Sequence, residues 1–340
     1  MALSHISGVR ISGMCSVVPE TRIDNQSLAA VVGQQELDKI IGSTGIKHRR
    51  ILSANQTSLS LANIACKTML TDMNIDVSQI GLIICVTQTP DFPFPGNAVQ
   101  LQHALMLTKG TPAFDINLGC SGFVYGLWQT AALLNTLETQ KALLVVGDST
   151  STQYSSDNKL VNTLFGDASS AILLEKDKHT TPMIFDLGSD GSGAPYLIQP
   201  NNGAKKPNLK PEMYMDGMQV FAFTLREVPK SIKACLNAAK LSKDEIDFVV
   251  MHQANTMMIK HLADKLNFTP EQAIIGISEF GNTSSASIPL AMTDKLRDQL
   301  LNGNNTMLLS GFGVGWSWAT VLVKQSKLEY CRVLDLLPAS

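Results

Sequence analysis

Three residues with the makings of covalent catalysis stand at turns that follow apolar runs: Cys120 in DINLGCSGFVYGL, His252 in DFVVMHQAN and Asn282 in FGNTSSASIP. Cys120 lies between a small glycine turn and a run that reads as a helix. The start of such a helix presents unpaired N–H groups and the positive end of its dipole to the sulfur. A free thiol titrates at about 8.5, and a helix start with a nearby imidazole lowers that value, so the turn is expected to favour thiolate and to make a nucleophile. Taken singly, a cysteine in an apolar setting is more often packing than catalyst, and a histidine at a strand end is more often a hydrogen-bonded support. The case for the three residues together comes from the elements that carry them.

Two distant segments resemble each other, SQIGLIICVTQ and DEIDFVVMHQ, each a polar pair, an isoleucine and a continuous apolar run of the kind a buried parallel strand needs. The order of the succeeding elements repeats as well. After GLIICVT come a helical stretch around NAVQLQHALML, the strand PAFDIN, the turn with Cys120, a helix, and the strands ALLVVGD and SSAILLEK. After DFVVMHQ come the helical stretch ANTMMIKHLADKLN, the strand AIIGISE, the turn FGNTSSAS, a helix, and the strands TMLLSGFG and SWATVLVKQ. Helices alternating with apolar strands predict an α/β protein whose halves pack as pseudo-equivalents, with sites at the carboxyl ends of the strands. Cys120 and Asn282 fall at corresponding turns, and His252 closes the repeated strand.

With 340 residues and 44% hydrophobic content, the chain can bury a large core. A net charge of −2 with 16% charged residues offers no global basic field for nucleic acid or an anionic membrane, so an acidic partner must be met by a local patch. No signal-peptide pattern opens the sequence and no apolar run approaches the roughly 18 residues of a membrane span, which predicts a soluble, cytoplasmic protein. The six cysteines show no CxxC spacing, so neither a metal site nor a disulfide framework is expected, and all but Cys120 read as small buried hydrophobes. His5, His48, His103, His179 and His261 sit in polar loops or on helices and read as solvated.

DINLGCSGFVYGL, MHQAN, FGNTSSASIP, FGDASSAILL and GFGVGWSWATVLV together resemble the motifs of the ketoacyl-acyl-carrier-protein synthase III family of the thiolase superfamily, over roughly residues 5 to 325. The resemblance implies a thiolase-like fold of two pseudo-equivalent halves in a five-layered αβαβα arrangement. Residues 1–180 would carry the cysteine and residues 181–325 the histidine and asparagine, leaving 326–340 as a tail of unknown role. It implies a homodimer and a Cys120–His252–Asn282 triad. An acyl group would pass from a thioester to Cys120, with the oxyanion held by the backbone N–H groups of Cys120 and Val314. A malonyl thioester would then decarboxylate under hydrogen bonds from His252 and Asn282, and its carbanion would attack the acyl-cysteine. No metal, flavin or nucleotide is implied as cofactor. The implied partners are acyl carrier protein, acyl-coenzyme A and the malonyl thioester. Phe94, Phe312 and Gly313 are implied around the acyl pocket, Phe94 from the partner subunit across the dimer contact.

The chain departs from the family pattern in several places. Val314 replaces the glycine of GFGGG versions of the last loop. Lys39 and Ser43 fall where relatives that take acetyl-coenzyme A carry a tryptophan and an arginine for the adenine end, and Met257 falls where many carry an arginine for the carrier protein. Lys205, Lys206, Arg226, Lys230 and Lys233 are the local basic candidates for a carrier patch, against a reading as ordinary solvated surface. Relatives that deprotonate an acceptor place a glutamate near TPDFPFPGNA, where this chain has only Asp91, which favours decarboxylation. Two alternatives stay open: acyl transfer from the cysteine to a hydroxyl or amine, and a Cys-His-Asn hydrolase or non-catalytic partner subunit.

Overall fold

The protein is described from a computed structural model, which covers residues 2–154, 158–201, 203–206 and 212–336. In its first half run strands β1 (Ala2–Ile6), β2 (Val9–Pro19), β3 (Arg22–Asp24), β4 (His48–Arg50), β5 (Ile80–Val86), β6 (Ala113–Ile116), β7 (Lys141–Asp148) and β8 (Ala168–Lys176). There follow β9 (Met183–Ser189), β10 (Leu197–Ile198), β11 (Tyr214–Met215), β12 (Phe248–Met251), β13 (Asn305–Gly313), β14 (Ser317–Gln325) and β15 (Tyr330–Leu336). Two sheets dominate, one ordered β15-β2-β8-β7-β5-β6 and the other β1-β9-β14-β13-β12, and β3–β4 and β10–β11 form small ribbons.

The continuous apolar runs become strands buried on both faces. In β7, Ala142, Leu144 and Val146 face a central core while Leu143 and Val145 face an outer one, so neither face meets water. The central core lies between the sheets and holds the helices Gly122–Thr136 and Ser287–Lys295, through Phe123, Leu127, Ile288 and Met292. The helix Ser58–Asp72 covers the outer face of the first sheet, and the helices Gly217–Ala239 and Thr256–Leu266 cover that of the second. Helix, sheet, helix, sheet, helix is the five-layered α/β arrangement of the thiolase-like fold. Among the described residues, no helix is long and apolar enough to cross a membrane.

One expectation is corrected. AIIGISE is not a strand: only the bridge Val249↔Ala273 forms beside β12. Gln253 takes over the pairing there, donating to the carbonyl of Ile274 at 3.3 Å and accepting the N–H of Gly276 at 2.8 Å, so a side chain satisfies groups that a neighbouring strand would otherwise meet. Strand pairing also joins segments on either side of residues 180 and 325. β1 pairs antiparallel with β9 in the second sheet, and β15, within the stretch read as a tail, runs parallel to β2 as an edge strand of the first. Cys331, within this strand, is buried.

Candidate active site

The turn after β6 brings Cys120 to the start of the helix Gly122–Thr136, against β13. Close approach requires glycines there. A Cβ on Gly313 would stand 2.7 Å from the Cβ of Cys120 and 3.2 Å from its sulfur, and one on Gly311 would stand 2.9 Å from its carbonyl oxygen. A 2.7 Å hydrogen bond between the hydroxyls of Ser121 and Ser317 ties the turn to the start of β14.

His252 follows β12, its N–H donating to the carbonyl of Ser310 at 2.8 Å. Its ring is buried and meets Phe312 edge-on at 5.6 Å. Ser287 Oγ lies 2.7 Å from its Nδ1 and also accepts the N–H of Gln253 at 3.3 Å. A Ser287 hydroxyl that donates to Nδ1 while accepting from Gln253 would put the proton of the neutral ring on Nε2. Burial lowers the His252 pKa to about 3, so the ring is a neutral donor and not a cation. Ser287→Ala is expected to remove this bias and give a mixture of the two tautomers in the ¹⁵N spectrum of His252, with Ser287→Thr retaining the Nε2–H form. An unchanged spectrum in Ser287→Ala would refute the assignment.

Asn282 is pinned as a strand residue would be, its N–H donating to the carbonyl of Leu164 at 2.8 Å and its own carbonyl accepting from Gly166 at 3.1 Å. Its side-chain oxygen accepts the N–H of Ser284 at 3.0 Å, so the amide nitrogen is left to donate elsewhere. Ser284 holds a left-handed backbone, φ 51°, and its hydroxyl assists the Cys120 sulfur.

Cys120 stands where two cavities meet. One, of about 90 Å³, also holds His252, Asn282, Phe312 and Gly313. The other, of about 390 Å³, is lined by Val314, Ser284, Phe165 and Asp148. The expected thiolate is not what this environment favours. Burial first, and the charge of Asp148 second, push the Cys120 thiol up to about 12, outweighing the hydrogen bond from Ser284. The helix start is present, but the neutral imidazole supplies no positive charge, so the resting group is a thiol.

The remaining candidates are dispersed. Phe94 is 86% exposed on the loop before the helix Asn97–Ala104, with Phe92 beside it at 53%. Asp91 accepts from the hydroxyl of Thr57 at 3.1 Å and lines a cavity that does not include Cys120. Lys205, Lys206 and Lys233 are exposed, but Arg226 and Lys230 both pair with Glu227, at 2.6 and 3.2 Å. Lys39 is exposed on the helix Gln34–Thr44, which packs against the helix Thr256–Leu266 carrying the exposed Met257. His48 is not free but lies 3.2 Å from Glu279. The five other cysteines are buried. Ser287 and Asp148 went unread in the sequence, although Asp148 carries the signal that marked His252, a polar residue closing a wholly apolar run.

A family model described as 3-Oxoacyl-[acyl-carrier-protein (ACP)] synthase III matches residues 114–191, and its C-terminal counterpart matches residues 236–325. The beta-ketoacyl-[acyl-carrier-protein] synthase III of Trichodesmium erythraeum (strain IMS101) is 35% identical over 324 residues, covering 93% of this chain and 98% of the relative. The crystal structure of 3-oxoacyl-(acyl-carrier protein) synthase from Burkholderia xenovorans LB400 matches with a TM-score of 0.96 at 33% identity, covering 98% of this chain and 99% of that one. The priming beta-ketosynthase of the R1128 polyketide biosynthetic pathway matches with a TM-score of 0.84 at 25% identity, covering 96% and 99%. The first of the two matched segments contains Cys120 and the second contains His252 and Asn282, the residues that the fold gathers around one cavity. The chain belongs to the 3-oxoacyl-[acyl-carrier-protein] synthase III family.

Proposed function

We propose that this protein is an acyltransferase that forms an acyl-cysteine and condenses it with a malonyl thioester, in the manner of the beta-ketoacyl-acyl-carrier-protein synthase III enzymes it resembles. The observation that carries the reading is the pairing of a cysteine with two neutral donors, His252 and Asn282, around one cavity. A cysteine hydrolase needs a base or an imidazolium beside the sulfur, and a ring with a pKa near 3 is neither. An enolate needs donors with no acid strong enough to quench it, and the Nε2–H of His252 and the amide of Asn282 meet that need.

In the first half-reaction the sulfur of Cys120 attacks the thioester carbonyl, with the N–H groups of Cys120 and Val314 facing the oxyanion. The thiol proton leaves with the departing pantetheine sulfur. In the second, the malonyl thioester loses carbon dioxide while His252 and Asn282 donate to its thioester oxygen. The enolate carbon then attacks the acyl carbonyl, the bond to Cys120 breaks with the sulfur leaving as thiolate, the 3-oxoacyl thioester is released, and a proton from water restores the resting thiol.

The protein acts as a cytoplasmic homodimer in this reading, with the exposed Phe92 and Phe94 buried at the contact and Phe94 reaching the partner's acyl cavity. The carrier patch rests on Lys205, Lys206 and Lys233, since Glu227 neutralises much of Arg226 and Lys230. With Lys39 and Ser43 in place of an adenine platform, the donor is carried on acyl carrier protein in preference to coenzyme A. Loss of a stacking platform worth about 1–3 kcal/mol weakens coenzyme A binding by roughly 5- to 150-fold. The test supplies one acyl group on each carrier together with malonyl-acyl carrier protein and measures carbon dioxide and 3-oxoacyl product. Stoichiometric release of both, faster from the carrier protein, is expected. Acyl transfer to an alcohol or amine without carbon dioxide would replace the reading, and equal rates from the two carriers would remove the donor preference alone.

A further inference from the structure

The two cavities that meet at Cys120 differ in charge. Among the described residues, the larger is lined by a single charged side chain, Asp148, and the smaller by none of fixed charge. Asp148 is 1% exposed at the end of β7. Its Oδ1 accepts from the Thr87 hydroxyl at 3.1 Å and the Gln88 N–H at 2.8 Å, and its Oδ2 from the N–H and hydroxyl of Ser285 at 3.2 and 2.7 Å. All of these groups act as donors, which places an acceptor-only carboxylate in the wall, held between the turn after β5 and the turn that carries Asn282. The rest of that wall is amide, hydroxyl and apolar, and no described lysine, arginine or histidine lines it.

We propose that the larger cavity takes the acyl group, although Phe312 and Gly313, expected around the acyl pocket, line the smaller one, and that Asp148 is its specificity-determining residue: it makes this cavity accept uncharged acyl groups and turn away those that end in a carboxylate. A second anion entering this space loses its water, finds no cation, and meets a carboxylate whose hydrogen-bonding sites are already filled. The resting thiol reports the same field, since the charge of Asp148 opposes the ionisation of Cys120. Malonyl thioester carries a carboxylate on its acyl part. It is therefore refused at the acylation step and reserved for the smaller cavity beside His252 and Asn282, so the wall sorts starter from extender.

The inference rests on the acyl-cysteine reading, and the test separates the two. The full chain is incubated with butyryl, succinamoyl and succinyl pantetheine thioesters, and the adduct on Cys120 is timed by mass spectrometry. Succinamoyl and succinyl have the same shape and differ in charge. Wild type is expected to take succinamoyl about tenfold faster or more, and the ratio is expected to fall to within about threefold in Asp148→Asn, whatever that variant's overall rate. Asp148→Ser provides a second variant in which a short hydroxyl still accepts from the neighbouring donors. Adduct from butyryl with equal rates for succinamoyl and succinyl in wild type overturns the role of Asp148 alone, as does an unchanged ratio in either variant. No adduct from any of the three overturns the acyl-cysteine reading and this inference together.

Discussion

Cys120→Ala is expected to abolish covalent labelling by acyl thioesters and, with it, all product formation. In wild type, mass spectrometry after exposure to an accepted thioester should find one acyl mass, on the peptide that contains Cys120. The effect is the largest available because no other thiol can substitute. Cys15, Cys66, Cys85, Cys235 and Cys331 are buried in apolar clusters, and of the six cysteines only Cys120 opens onto the two cavities of the candidate site. Acylation of Cys85 or Cys235 in the wild type would refute the assignment. The resting state adds a second signature. With the thiol pushed up to about 12, a simple alkylating agent at pH 8 should modify Cys120 much more slowly than a model thiol, and the rate should climb with pH toward that value.

His252→Ala and Asn282→Ala are each expected to lower decarboxylation of a malonyl thioester by roughly 100- to 1,000-fold, the range for removing one donor to a developing oxyanion. Acylation of Cys120 should persist at a reduced rate, because its oxyanion is met by backbone N–H groups that neither substitution removes. The double variant should lose less than the product of the two single effects, since both donors serve one oxygen. The assay is carbon dioxide release alongside the acyl adduct in the same samples. Loss of acylation equal to the loss of decarboxylation in both variants would assign the two residues to the first half-reaction instead.

Much of this architecture was legible because strand burial writes itself into the chain. GLIICVT, ALLVVGD, TMLLSGFG and SWATVLVKQ are largely apolar runs, and all became strands buried along most of their length. AIIGISE has the same look and failed, because the side chain of Gln253 satisfies the backbone that a strand would have paired, and nothing local in AIIGISE records that distant amide. The gathering of Cys120, His252 and Asn282 followed from the repeat, which places equivalent turns at one end of the two sheets. The sulfur's ionisation did not follow. A helix start is visible in sequence, but the desolvation of a site depends on what closes over it, and the charge that opposes ionisation, Asp148, arrives from the end of β7. Ser287 was likewise hidden, since SSAS reads as a turn until the fold sets one of its hydroxyls against a histidine 35 residues away.

The pairing of β15 with β2 bears on how the chain comes off the ribosome. Gly13 and Tyr330 are partners in register, about 300 residues apart in sequence, so the first sheet remains incomplete until Tyr330 and the residues after it have been made. During that interval the outer edge of β2 presents an apolar strand, including Met14, Cys15 and Val17, with its hydrogen-bonding groups unmatched on one side. Such an edge is a template for pairing with the same strand of another nascent chain. β15 therefore serves as a latch that ends the period of exposure, and a chain interrupted before Tyr330 would carry Cys120, His252 and Asn282 yet keep that edge open.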